Sequence, residues 1–309
     1  MLIPLTTALL ALATGPTEIA LPAEPAPLHG TLLSPEGAVQ ATAVILPGSG
    51  PTDRDGDSPL GVTAGTYRLL AEGLAAEGVA TVRIDKRGIA ASAAAGPAEA
   101  DLRFGTYVAD AVAWAAEAAK QTGQPCAWLI GHSEGALVAL AAADDDKVCG
   151  LILLSGAGRP AGAILREQLK ALPDTLKVGA FAALDELEQG HTVTYAPPEL
   201  AALFRPSVQP YLISWLALDP AALIAAYEGP VLIGQGTTDL QVGVADAEAL
   251  AVAQPRASLV RFEGANHVLK TAPADPAGNM ATYRDPSLPL APGVVDAVAD
   301  FIRAHPPAQ

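Results

Sequence analysis

The sequence contains few cysteines and few basic residues. Two cysteines occur in 309 residues, too few for a disulfide framework or for a metal site built on cysteine. Lys and Arg together number 18 against 33 Asp and Glu, which gives a formal net charge of −15. This charge disfavours binding to nucleic acid or to an anionic membrane surface, because both require clustered cations. Neutral or cationic small molecules are therefore the expected partners.

Basic residues are missing from the N-terminus altogether, where the chain is apolar. Residues 1–13 are nearly all apolar and end in an A-x-A pattern, as in a signal peptide. No Lys or Arg precedes Arg54, and the apolar run is too short to span a bilayer. Residues 1–16 are therefore either a cleaved leader of a periplasmic or secreted protein, or the apolar N-terminus of a cytoplasmic one.

The remainder has the composition of a folded domain, since half of the residues are hydrophobic and 17% are charged. Short apolar runs alternate with helical patterns. This predicts an α/β fold, a mostly parallel sheet with helices on both faces and an antiparallel hairpin at one edge. The alternation stops over residues 157–228, where the pattern is helical and rich in proline. We expect an α/β core of residues 17–156 and 229–309 with 157–228 inserted as a helical cap.

The two cysteines open two of the predicted strands. Cys126 and Cys149 precede apolar runs that should be neighbours in a parallel sheet. They are therefore either joined by a disulfide, if the protein is exported, or small buried residues of the core.

The most informative motif is G-x-S-x-G at Gly131–Gly135, between an apolar strand and an alanine-rich helix. A serine hydroxyl is a poor nucleophile unless it stands on a tight, exposed turn beside a base. A strand-to-helix elbow provides such a turn. Ser133 is therefore the candidate nucleophile. The alternative is a glycine-bounded turn whose serine caps the helix.

A serine nucleophile requires a base and an acid that orients the base. In an open α/β sheet both are expected at the carboxyl ends of strands. His267 directly follows the last predicted strand, whereas His132 lies in the elbow with its ring expected to point away from the attacking hydroxyl. Asp239 follows the penultimate strand and is the candidate acid. Asp219 and Asp246 are weaker candidates, because they lie at or inside predicted helices.

Backbone N–H groups must also surround the negative charge that develops on the substrate. The amide of Glu134, directly after the nucleophile, is one candidate donor. The amide of Ser49, between two glycines after another buried strand, is the second; the alternative is an ordinary glycine turn. The charges of Asp85–Gly88 either brace this loop, for example by pairing with Asp53 or Asp55, or lie in an exposed loop.

The acidic segment Asp53–Asp57 does not have the spacing of a calcium loop. An EF-hand loop requires glycine at its sixth position and glutamate at its twelfth, where this chain has Ser58 and Ala64. We expect a structural loop of turns and charge pairs, and no metal or other cofactor.

Several motifs occur together in this chain. They are P-G-S-G-P-T-D-R-D-G at Pro47–Gly56, D-K-R-G at Asp85–Gly88 and G-H-S-E-G at Gly131–Gly135, followed by Leu203–Pro206, Val208–Tyr211 and Asp219–Pro220. In combination they resemble the α/β-hydrolase superfamily, and more narrowly its serine-aminopeptidase-like and EstD-type esterase branch. The resemblance extends from Thr17 onward. It departs at Ala90 and Ala136, where the family usually has glycine.

The resemblance implies an eight-stranded hydrolase core with a helical cap. It also implies Ser133, Asp239 and His267 as the catalytic triad, with the amides of Ser49 and Glu134 as oxyanion donors. That order along the chain is the order of α/β-hydrolases.

The expected function is a serine carboxylesterase that acts on a small-molecule ester. The nearest alternative is an amidase or aminopeptidase, although no carboxylate of the sequence can be assigned to recognise a substrate amine. A non-catalytic binding protein on the same fold is a third hypothesis. In the cap, four apolar residues either line an acyl pocket or belong to the cap core: Phe204, Tyr211, Trp215 and Leu216.

Overall fold

A computed structural model describes residues 15–307. The predicted leader lies outside the described residues except for Gly15 and Pro16, which begin the first strand. Eight strands form a single sheet. They are β1 (Gly15–Leu21), β2 (Leu28–Ser34), β3 (Ala41–Leu46), β4 (Val79–Ile84), β5 (Ala127–His132), β6 (Val148–Leu154), β7 (Val231–Gly236) and β8 (Ser258–Phe262).

The strands are arranged in the order β1-β2-β4-β3-β5-β6-β7-β8. β2 pairs antiparallel with β1 and with β4, whereas all pairs from β4 to β8 are parallel. The sequence prediction of a mostly parallel, eight-stranded sheet with an antiparallel hairpin at one edge is confirmed. Because the parallel strands all run in the same direction, their carboxyl ends meet at one edge of the sheet, where ligands bind in such folds.

Eleven α-helices occur among the described residues. They are α1 (Thr66–Ala76), α2 (Phe104–Thr122), α3 (Glu134–Ala141), α4 (Ala161–Gln168), α5 (Asp174–Glu188), α6 (Ala201–Phe204), α7 (Gln209–Leu216), α8 (Pro220–Ala226), α9 (Val244–Ala253), α10 (Pro276–Ala281) and α11 (Val294–Ala304). None of these helices combines the length and the apolarity needed to cross a membrane.

The hydrophobic core lies on both faces of the sheet. Along β3, Val44 belongs to a cluster with α2, α3 and α9, whereas Ile45 belongs to a second cluster with α1 and α11. Successive side chains of a strand point to opposite faces, so a strand covered by helices on both sides must be apolar throughout. This is why the continuous apolar runs of the sequence mark these central strands.

The segment between β6 and β7 contains helices α4 to α8, and it has an apolar core of its own. Prolines stand at the beginnings of several of these helices, for example Pro210 in α7 and Pro220 in α8. Proline is well tolerated in a first helical turn, because the missing N–H has no partner there. The proline-rich pattern of this segment therefore reflects a series of short helices.

Cys126 and Cys149 form a disulfide. Their Cα atoms are 5.3 Å apart, because the neighbouring strands β5 and β6 pair in parallel register beside them. Of the two alternatives that the sequence left open, the structure has the bridge.

Candidate active site

Ser133 lies in a sharp turn between the end of β5 and the start of α3. Its backbone has φ 55° and ψ −120°, a left-handed conformation that is strained for a residue with a side chain. The Ser133 amide donates a hydrogen bond to the carbonyl of Leu154 at 2.9 Å, which ties the turn to β6. The turn leaves the side chain partly exposed at the carboxyl edge of the sheet.

The two glycines of the motif are required by close backbone contacts. A Cβ atom on Gly131 would lie 2.2 Å from the carbonyl oxygen of Gly135. A Cβ atom on Gly135 would lie 2.3 Å from the carbonyl oxygen of Leu46, at the end of β3. The elbow is therefore packed directly against the end of β3, the strand that leads into the loop carrying Ser49, which we call the Ser49 loop.

His267 and Asp239 form a buried pair. The Nδ1 atom of His267 lies 2.8 Å from Oδ2 of Asp239, and the exposed fractions of the two side chains are 7% and 0%. The other carboxylate oxygen accepts the amides of Gln241 at 2.8 Å and Val242 at 3.0 Å. Burial alone would raise the pKa of Asp239, but His267 and these amides lower it below its usual value. Asp239 is therefore ionised and fixes the His267 ring.

Ser133 and His267 line the same cavity at this edge of the sheet. Among residues 15–307, the hydroxyl of Ser133 makes no hydrogen bond. Hydrogen bonds between nucleophile and base are often completed only when substrate is bound. The Nε2 atom of His267 is the nitrogen available to Ser133, since Nδ1 is engaged by Asp239.

His132 is directed to other partners. Its Nδ1 lies 2.9 Å from the Tyr67 hydroxyl, and its Nε2 lies 2.7 Å from the backbone carbonyl of His267. Burial, together with the proximity of the His267 ring, lowers the pKa of His132 to about 3. The ring is therefore neutral, donates from Nε2 to the carbonyl and accepts at Nδ1 from Tyr67. It links the elbow to the loop that carries His267.

The two residues whose amides are the candidate oxyanion donors, Ser49 and Glu134, line the cap side of the site together with Ser133. Glu134 is the first residue of α3, so its N–H has no partner within the helix and lies at the positive end of the helix dipole. Ser49 follows β3, and in the part of the chain that the structure describes its amide donates no hydrogen bond. The neighbouring amide of Gly48 is already engaged, because it donates to the Tyr67 hydroxyl at 2.9 Å.

The Asp85–Gly88 segment does brace the Ser49 loop, but not through Asp53 or Asp55, as the sequence suggested. Asp85 instead binds Arg54, with an Nη2 to Oδ2 distance of 2.7 Å. Asp55 is occupied by Arg83 from inside β4. The two segments do contact each other, as the sequence suggested. The cations of these pairs are Arg54 and Arg83, which the sequence pattern did not indicate.

The remaining cations of that segment have different partners. Lys86 donates from Nζ to the Gly48 carbonyl at 2.5 Å, whereas Arg87 pairs with Asp110 of α2 at 2.7 Å. Asp53 accepts the amides of Asp55 and Asp57, so the acidic loop is built of turns and charge pairs.

The two weaker candidates for the acid have structural partners. Asp219 caps α8 by accepting the amide of Ala221, and Asp246 is buried in an ion pair with Arg159. The three remaining histidines lie in β2, after α5 and after α11: His29, His191 and His305.

Two cavities adjoin Ser133. The cap cavity, about 350 Å³, lies below the inserted helices, and its wall includes Ser49, Glu134, Leu137, Ile164, Leu203, Val208, Tyr211, Leu212 and Trp215. The rim cavity, about 220 Å³, lies on the His267 side, and its wall includes Thr52, Ser58, Tyr67, Gln241, His267 and Tyr283. Ser133 and Ser49 line both cavities.

The predicted pocket residues divide between the cavity and the cap core. Tyr211 and Trp215 line the cap cavity. Phe204 and Leu216 instead pack in the core of the cap, where 1% and 8% of each is exposed. Of the two alternatives that the sequence left open for these residues, Phe204 and Leu216 have the second, because they face the other cap helices. The spacing of Val208, Tyr211 and Trp215 marks the cavity side of α7, a helical signal that the sequence does contain.

The family model described as serine aminopeptidase, S33 matches residues 60–272. Esterase EstD of Thermotoga maritima is 27% identical over 227 residues, which cover 72% of this chain and 52% of EstD. The chain therefore spans about half the length of this curated relative.

Two solved structures share the fold. An esterase domain from Rhodothermus marinus is 18% identical with a TM-score of 0.58, over 94% of this chain and 99% of that one. The Pyrococcus furiosus esterase PF2001 is 17% identical with a TM-score of 0.60, over 95% of this chain and 91% of that one.

Proposed function

Since this chain belongs to the serine aminopeptidase S33 family of α/β-hydrolases, we propose that it is a serine carboxylesterase. Ser133 is the nucleophile, His267 the base, and Asp239 the residue that orients the base. The observation that supports these roles is the buried His267–Asp239 pair, 2.8 Å from nitrogen to oxygen, beside the cavity that Ser133 lines. The relative EstD is named an esterase, which supports an ester as the substrate.

The reaction proceeds in two halves. The Ser133 oxygen bonds to the ester carbonyl carbon while its proton passes to Nε2 of His267. The carbon–alkoxy bond then breaks, and His267 returns the proton to the departing alcohol. In the second half His267 takes a proton from water, the water oxygen bonds to the acyl carbon, and Ser133 leaves with the proton. The amides of Ser49 and Glu134 stabilise the oxyanion in both halves.

The two cavities suggest where each half of the ester lies. The alcohol must leave beside His267, which lines the rim cavity. The acyl group then occupies the cap cavity, which is lined by Glu134 and by many apolar side chains. We therefore propose an uncharged ester with an apolar acyl group as the substrate class.

Recognition of a substrate amine finds little support here. An aminopeptidase must bind the ammonium group of its substrate, for which a free carboxylate is the usual partner. Among the described residues, Glu134 is the carboxylate that lines the cap cavity, and it is paired with Lys86 at 3.7 Å. Within residues 15–307, no carboxylate lines the rim cavity. This placement of carboxylates favours an ester, rather than the amino terminus of a peptide, as the substrate, despite the name of the family.

Matched ester and anilide substrates test the reaction class. We expect kcat/KM for p-nitrophenyl butyrate to exceed that for the corresponding p-nitroanilide, because p-nitrophenolate leaves with little help from a general acid, whereas the aniline nitrogen must be protonated as it leaves. Labelling by a fluorophosphonate probe should be stoichiometric. Faster cleavage of the anilide would make the protein an amidase, and absence of labelling would favour a binding protein.

Filling the cap cavity tests where the acyl group lies. Ile164 lines this cavity but is not part of the cap core, so Ile164→Trp adds bulk where the acyl chain is expected. We expect kcat/KM for an octanoate ester to fall at least about tenfold, and that for the acetate ester to change by less than about threefold.

The matched control is Val178→Trp, which adds a similar bulk on the exposed side of α5 in the same cap. It should leave both rates unchanged. Equal losses for acetate and octanoate in Ile164→Trp would contradict the placement of the acyl group.

A further inference from the structure

The peptide unit between Gly48 and Ser49 is held firmly beside the nucleophile. The Gly48 carbonyl accepts from Lys86 Nζ at 2.5 Å, and the Gly48 amide donates to the Tyr67 hydroxyl at 2.9 Å. A Cβ atom on Gly48 would lie 3.3 Å from the Cβ of Ser133. Lys86 and Tyr67 are both buried. The Gly48 carbonyl belongs to the Gly48–Ser49 peptide, so Lys86 sets the orientation of that peptide. The Gly48 amide belongs to the preceding Pro47–Gly48 peptide, which Tyr67 holds. Bulk water displaces neither side chain.

The Lys86 contact determines the direction of the Ser49 amide. A trans peptide is planar, and its C=O and N–H bonds point to opposite sides. Because Lys86 binds the carbonyl oxygen of Gly48, the N–H of Ser49 in the same peptide unit points away from Lys86. Ser49 lines both cavities that contain Ser133, so the opposite side is the side of the reaction.

Lys86 also contacts the residue that supplies the second amide. Its Nζ lies 3.7 Å from Oε1 of Glu134, and the exposed fractions of the two side chains are 7% and 5%. The ring of Tyr107 lies 5.4 Å from the same nitrogen. Burial lowers the pKa of Lys86, whereas the Glu134 carboxylate opposes this shift and stabilises the ammonium. One buried cation thus joins the two segments that carry the candidate oxyanion donors.

We infer that Lys86 is a positioning residue for the oxyanion hole. Its ammonium holds the Gly48–Ser49 peptide and the start of α3 at a fixed separation, so that the amides of Ser49 and Glu134 converge on one point. Lys86 does not touch the substrate and acts only through these two amides. The inference rests on the proposed function, because it assumes that an oxyanion forms at Ser133.

Lys86→Met tests this role, since methionine keeps most of the apolar stem and removes the donor. The Ser49 peptide then loses its constraint, and we expect kcat on p-nitrophenyl butyrate to fall about 10- to 100-fold, with KM changed by less than about threefold. A trifluoromethyl ketone, which forms a tetrahedral adduct with the serine, should lose affinity by a similar factor. A purely structural role would lower stability without separating kcat from KM.

The matched control is Arg87→Met, which removes the neighbouring cation of the same loop. Arg87 binds Asp110 and the carbonyls of Glu24 and Ala95. This variant should lower the melting temperature but keep kcat and inhibitor affinity within about threefold of wild type. If Arg87→Met reproduces the losses of Lys86→Met, general loosening of the loop explains both, and the inference is wrong.

A second variant separates the loss of the Lys86 donor from a loss of stability. Lys86→Met alone leaves the Glu134 carboxylate buried without its cation, which could destabilise the fold. The double variant Lys86→Met/Glu134→Gln removes that charge and keeps both backbone amides. It should show the same loss of kcat. Activity within about threefold of wild type in either folded variant would overturn the inference. Inert wild-type enzyme would instead overturn the proposed function.

Discussion

Replacing Ser133 with alanine is expected to lower kcat on a short p-nitrophenyl ester by at least about 10³-fold. The oxygen that forms the acyl-enzyme is lost, while the amides of Ser49 and Glu134 remain and sustain only residual turnover. The fold should be unaffected, because the Ser133 hydroxyl makes no hydrogen bond among residues 15–307. We therefore expect an unchanged melting temperature and complete loss of fluorophosphonate labelling.

Ser155 provides a matched control. It follows β6, the strand beside β5, and like Ser133 it has a positive φ, here 50°. It is buried, and its hydroxyl has no hydrogen-bond partner among the described residues. Ser155→Ala thus removes the same atom from a similar backbone one strand away, and it should retain activity and labelling. If Ser133→Ala loses less than tenfold in activity, another residue is the nucleophile.

The sequence predicted the sheet and the positions of Ser133, Asp239 and His267 because these features depend on local order. Buried parallel strands are apolar along their whole length, and the candidate residues directly follow such strands. The long helix α2, Phe104–Thr122, is also a local feature, since an amphipathic helix of this length has a clear period in the sequence.

The contacts that hold these residues depend on distant segments, and the sequence did not predict them. Tyr67 lies on the apolar side of α1 and has the pattern of a core residue, yet its hydroxyl joins Gly48 to His132. The side-chain amide of Gln241 donates a hydrogen bond to the Tyr283 hydroxyl at 3.0 Å beside the rim cavity, although the two residues are 42 positions apart in the sequence. Phe204 and Leu216 are apolar cap residues like Trp215, and only the packing of the cap helices separates core from cavity.

Asp239→Asn is expected to lower kcat by about 10⁴-fold while the fold is retained. The reason lies in the distribution of donors around Asp239. One carboxylate oxygen accepts two backbone amides, from Gln241 at 2.8 Å and Val242 at 3.0 Å. The other lies 2.8 Å from Nδ1 of His267 and accepts a longer contact, 3.3 Å, from the side-chain amide of Gln235. An asparagine should keep its single oxygen toward the two short, fixed backbone bonds, because the reverse orientation would oppose its NH₂ group to both of these donors.

The NH₂ group of the introduced asparagine then faces His267 and donates to Nδ1. The ring is forced to carry its proton on Nε2, and in this tautomer Nε2 cannot accept the proton of Ser133. The predicted result is therefore a large loss of kcat and of fluorophosphonate labelling rate, with KM changed by less than about threefold and little change in melting temperature.

Asp219→Asn is the matched control, since asparagine caps helices as well as aspartate does and Asp219 caps α8. A loss of under about tenfold in Asp239→Asn would mean that His267 does not depend on Asp239 for its tautomer, and the role assigned to Asp239 would be wrong.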